Sequence, residues 1–101
     1  MTVRILFHPL ADGDLEAIYH FIAKDSPGRA IAFVRRLRKF CFSLDEMPLR
    51  GRRRDDLAAG VRTITFERRV VVAYRVSNDD LTVLRLVYAG RDTGKVHWPE
   101  V

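Results

Sequence analysis

From Leu10 to Leu44 apolar residues recur at helical spacing, and the tripeptide Asp25-Ser26-Pro27 cuts that stretch in two. Leu15, Ile18, Tyr19 and Ile22 form one stripe, predicting a helix from Leu10 to about Lys24 with Gly13 inside it. Ala30, Phe33, Val34, Leu37, Cys41 and Leu44 form a second, predicting a helix to about Glu46 that Pro48 stops. Ser26 suits the cap of the second helix and Pro27 its first position, where a missing N–H does no harm. So short a link folds the two helices back as an antiparallel hairpin.

A hairpin with an apolar face needs a second layer, and the rest of the chain reads as strands. Thr2–Phe7 is short and rich in Val, Ile, Leu and Phe, and Pro9 follows it. Arg50–Gly60 reads as a polar loop, followed by strands at Val61–Phe66, Val70–Val76 and Leu81–Tyr88. The turns fall at Glu67–Arg69 and Asn78–Asp80. The expected register sets Phe66 against Val70, Ser77 against Leu81, Tyr74 against Leu84 and Val72 against Leu86. That places Ile64, Phe66, Val70, Val72, Tyr74, Val76, Leu84 and Leu86 under the helices. Thr63, Thr65, Val71, Ala73, Arg75, Val83, Arg85 and Val87 form the opposite face, with two arginines near its middle. The expected fold is α+β, with one domain over residues 1–101: an N-terminal strand, an antiparallel helical hairpin, then a three-stranded antiparallel meander in one small sheet.

The chain has 101 residues, 48% of them hydrophobic, enough for one core without disulfides or metal. Its single cysteine, Cys41, excludes an intramolecular disulfide and sits on a helix stripe as a small apolar residue. The opening MTVRILFHPL lacks the long apolar region and cleavage site of a secretory signal, so the expected location is the cytoplasm. No segment has the roughly 20 apolar residues of a membrane span. Lys and Arg number 18 against 13 Asp and Glu, mostly arginine, whose planar fork suits phosphate or carboxylate. Such a surface fits a nucleic acid or an acidic protein partner, or is simply a soluble basic surface.

Neither a Gly-x-Gly-x-x-Gly, a Cys-x-x-Cys nor a His-Glu-x-x-His occurs, so no cofactor or metal is expected. Asp12, Glu16 and His20 share a helix face and read as a solvated one rather than a metal site. Arg50, Arg52, Arg53 and Arg54 form a charge run partly neutralised by Asp55 and Asp56, and Arg62 reads as structural. Trp98 either anchors the tail on the open sheet face or stacks on a base or partner.

The opening FHPLADGDLEAIYHFIAKDSPGRAIAFVRRL combines a strand, a proline, an Asp-Leu-x-x-Ile helix, then Ser-Pro and an Ala-x-x-Phe helix. The middle LDEMPLRGRRRDDLAAGVRTITF has Leu-x-x-x-Pro, Arg-x-Asp-Leu and Gly-x-Arg, and VVVAYRVSNDDLTVLRLVYAGRD ends in Gly-Arg-Asp. Over residues 5–92 this order resembles the ParE branch of the ParE/RelE toxin superfamily. The resemblance implies the toxin of a type II toxin–antitoxin pair that inhibits DNA gyrase, has no catalytic residues of its own and is neutralised by a ParD-like antitoxin. Target contact is expected at Arg75, Arg85, Arg91 and Trp98. Antitoxin contact is expected across the helix pair at Leu15, Tyr19, Phe33 and Leu37. The alternative is a RelE-like ribosome-dependent endoribonuclease using Arg91 and His97, with cations to hold the phosphate and a group to activate the ribose hydroxyl.

Overall fold

Each helix begins where a side chain satisfies its first free N–H groups. His8 Nδ1 accepts from Leu10 N–H at 3.0 Å to open α1 (Pro9–Ala23), and Ser26 Oγ accepts from Arg29 N–H at 3.2 Å to open α2 (Pro27–Ser43). The computed structural model describes residues 3–88 and 96–99. The hairpin covers one face of a five-stranded sheet formed by β1 (Arg4–Phe7), β2 (Arg52–Arg53), β3 (Val61–Phe66), β4 (Val70–Ser77) and β5 (Asp80–Tyr88). The spatial order is β1-β5-β4-β3-β2.

The α+β fold agrees with the sequence reading; three details differ. The sheet is mixed, because β1 lies parallel to β5, with Ile5 opposite Leu81. A fifth strand comes from within the expected loop. Arg52 and Arg53 pair with Thr63 and Arg62, and Arg54 N–H donates to Val61 C=O at 2.7 Å. The third difference is the β4–β5 register. Asn78 takes a left-handed φ of 56°, so Ser77 pairs with Asp80 across a two-residue turn and Tyr74 faces Val83, not Leu84. A bulge then makes Ala73 face Arg85, leaving Leu84 as the extra residue and restoring the expected pair of Val72 with Leu86. Val83 therefore lies under the helices and Leu84 on the far face.

Two apolar clusters result. The larger packs Leu15 and Ile18 of α1 and Phe33, Leu37 and Cys41 of α2 on Val70, Val72, Tyr74, Val83 and Leu86. The smaller lies on the far face, where Ala58 and Trp98 pack on Val61, Ala73 and Leu84. The tail thus covers part of that face, with Val96 and Pro99 buried beside half-buried Trp98. α1 lies along β5 past the end of β1. There Asp14 accepts from Leu86 N–H at 2.9 Å and from Arg85 Nε at 2.8 Å and Nη2 at 2.9 Å.

Candidate protein-binding face

The outer side of the hairpin is built by α2. Its apolar stripe faces the sheet, so Arg29, Arg35, Arg36, Arg38 and Lys39 lie exposed on the opposite side. Several guanidinium groups lie over aromatic rings. Arg36 and Arg69 flank Phe33 at 5.5 and 5.8 Å, and Arg38 lies 5.4 Å from Phe7 and 5.8 Å from Phe42. Such packing holds long side chains in place and leaves their charge at the surface. Between the helices and the β3–β4 turn is a groove of about 150 Å³, lined by Ile22, Arg29, Ala32, Phe33, Arg36 and Arg69. Glu67, in that turn, accepts from Arg36 Nε at 2.8 Å and from Nη2 at 3.0 Å. The Arg36 guanidinium, bonded and charged, holds the Glu67 carboxyl below its ordinary 4.5, and Arg69 acts in the same direction.

The four residues expected to meet an antitoxin do not all lie on this outer face. Leu15, Phe33 and Leu37 are 6%, 2% and 0% exposed and form the core, because the stripe that identifies them is the stripe facing the sheet. Only Tyr19 is half-exposed, its ring edge-on to His20 at 5.4 Å. The exposed apolar residues of the hairpin are Phe21, Ile31 and Phe42, which fall off the helical stripe. Position off the stripe is the sequence signal that distinguishes them.

The far face brings together part of the expected target site. Val61 pairs with Arg75 and Ala73 with Arg85, so both arginines share the face with Trp98. Arg85 is nevertheless not presented outward. With Asp14 it forms an ion pair in which both side chains are about 12–13% exposed, and its Nη1 donates to His97 C=O at 2.6 Å. Arg85 thus ties the tail to α1. Asp14, in the interior of α1, has no spacing signature that would have marked it. The His97 side chain is exposed, and Arg91 lies outside the described residues.

The segment after α2 is held from inside. Tyr74 Oη accepts from Gly51 N–H at 2.7 Å, and Arg62 Nη1 donates to Leu49 C=O at 3.2 Å and Gly51 C=O at 2.9 Å, a structural role as expected. The charge run is largely neutralised, with Arg53 on Asp55 and Arg54 on Asp56. Asp55, accepting from Gly60 N–H, and Asp56, bonded to Arg54, lie below the ordinary 3.8. Glu16 and His20 approach to 4.0 Å on an exposed face, and no group able to hold a metal ion occurs among the described residues. Among those residues, no helix is long and apolar enough to cross a membrane.

Fold and surface together define a class: a small basic domain in which a helical hairpin lies on one face of a mixed sheet and carries its cations outward. Within that class, the family model described as the ParE toxin of the type II toxin–antitoxin system parDE matches residues 5–93. A solved structure titled as the chromosomal ParDE TA system from P. aeruginosa superposes with a TM-score of 0.74 at 27% identity, covering 86% of this chain and 96% of that one. No curated protein matches the sequence. The chain belongs to the ParE toxin family of type II toxin–antitoxin systems.

Proposed function

We propose that this toxin inhibits DNA gyrase in the cytoplasm and is held inactive by a ParD-like antitoxin lying across the helical hairpin. The observation that carries the reading is the ParE match over nearly the whole chain, beside a solved ParDE system of the same fold. The surface supports a protein partner. Phe21, Ile31 and Phe42 stand exposed on a hairpin whose second helix carries five cations and no acid, which suits an acidic, amphipathic segment laid along the helices. Contact with the antitoxin then falls on Tyr19 and these residues. Contact with the target is assigned to Arg75, Arg91 and Trp98, with no catalytic residue and no cofactor.

Inducible expression with a DNA-damage reporter tests this reading. Growth should stop with the reporter induced, and co-expression of the antitoxin from the neighbouring reading frame should restore growth. Growth arrest with the reporter silent and mRNA cleaved at codons would instead support the endoribonuclease reading, with Arg91 and His97 as its catalytic pair. Unimpeded growth would contradict both.

A further inference from the structure

The β3–β4 turn breaks a local rule. Glu67 and Arg68 have φ of 49° and 57°, and Arg69 N–H closes the turn on Phe66 C=O at 2.9 Å. Two successive positive φ values define a turn that Asn and Gly make without strain, whereas Glu and Arg are strained there. Glu67 is held in place by its two bonds to Arg36, which lines the groove together with Arg29 and Arg69. From Ser26 to Leu44 the chain has five cations and no acidic residue, so Glu67 supplies from another element the carboxylate that α2 lacks.

We propose that Arg29, Arg36 and Arg69 around Phe33 form a carboxylate seat, that Glu67 engages its Arg36 in the free toxin, and that a Glu or Asp side chain of a bound acidic protein segment replaces Glu67 there. This deepens, and rests on, the reading that an acidic partner covers the hairpin. The two-pronged bonding to Glu67 is the geometry by which a guanidinium fork recognises a carboxylate. Phe33, Ile22 and Ala32 line the same groove, so an apolar side chain beside the incoming acid is accommodated as well. A nucleic-acid backbone would instead call for cations spread along a track, whereas these converge on one small well. Glu67 thus acts as an internal competitor that lowers affinity for acidic partners lacking further contacts.

The test uses the full-length chain and a fluorescent synthetic helix of Leu and Glu at i, i+3 and i+4 spacing, with a single-stranded thymidine oligonucleotide as the alternative probe. Glu67→Gln removes the internal charge, and Glu67→Gly also relieves the backbone. Both should bind the peptide about two- to fivefold more tightly, the range of an exposed ion pair. The Gly variant should unfold at an equal or higher denaturant concentration. Arg36→Ala combined with Arg69→Ala should weaken peptide binding, and Arg52→Ala should leave it unchanged. Unchanged or weaker binding by both Glu67 variants, or binding of the oligonucleotide in preference to the peptide, would overturn the proposal. So would absence of peptide binding in all variants. A chain that arrests growth while its Glu67 variants bind no better loses this seat but keeps the toxin reading. One that gains affinity yet never arrests growth loses the toxin reading alone.

Discussion

Tyr74 is the residue on which the sheet and the segment after α2 depend together. It is fully buried in the main cluster, yet its hydroxyl reaches Gly51 N–H. A Cβ on Gly51 would stand 2.5 Å from that hydroxyl, closer than real contacts allow. Gly51→Ala should therefore destabilise the protein by about 1–3 kcal/mol through overpacking. Tyr74→Phe, which leaves a buried N–H unpaired, should cost about 1–3 kcal/mol. Denaturant unfolding of both variants measures this. Cys41, fully enclosed under α2, is equally constrained: burial pushes its thiol from 9.0 up to about 12. It should resist Ellman's reagent at pH 8 in the folded protein and react promptly once denaturant is added, as expected of a thiol held neutral.

Among the elements, β5 carries the most unusual design. Its bulge frees Leu86 N–H, and α1 supplies the acceptor through Asp14, which also neutralises Arg85. Asp14→Asn removes the charge and leaves Arg85 enclosed without a counter-ion, so it should destabilise the fold by about 3 kcal/mol. Because Arg85 also holds His97 C=O, Trp98 emission should shift to the red in that variant. The hairpin was legible in the sequence because its signals are local: a stripe at helical spacing, Ser26 as cap, Pro27 at the first position. Asp14–Arg85 was not, since its partners are 71 residues apart and, although Arg85 stands out on the sheet face, nothing in α1 marks Asp14 as its partner. Nor was β2, because two arginines in a charge run resemble a loop until β3 pairs with them. The bulge escaped for a related reason, since the period-two alternation of β5 continues in sequence while the backbone inserts a residue. For the candidate site, the pattern that located the helices also picked out Leu15, Phe33 and Leu37, which the chain's own core encloses. A helical stripe marks the side facing the protein's own sheet, and the exposed Phe21, Ile31 and Phe42 lie where the periodicity fails.

For the molecule as a whole, ionisation should limit stability at both ends of the pH scale. Asp55, Asp56 and Glu67 are held below their ordinary values by hydrogen bonds and arginines, so their contribution is complete above about pH 4.5 and is lost as pH falls through their folded values. All three are at the surface, which makes this term small and salt-sensitive. On the alkaline side, burial raises Cys41 and Tyr74, with the Gly51 N–H partly offsetting the shift at Tyr74. The unfolded chain then loses these protons first, so stability falls as pH rises from about 9 toward 12. Thermal melts across pH should show a plateau between about pH 5 and 9 that falls away on both sides, and added salt should erode the acid shoulder.

The same net positive charge, concentrated on α2, underlies the account of what the toxin does and how it is restrained. Purified DNA gyrase, ATP and relaxed plasmid, incubated with this chain and stopped with detergent and protease, provide the most direct measurement. Linear, gyrase-cleaved plasmid should accumulate in proportion to the toxin added, and should disappear when the antitoxin is premixed. Normal supercoiling with no linear product, alongside cleavage of mRNA on translating ribosomes, would contradict the account.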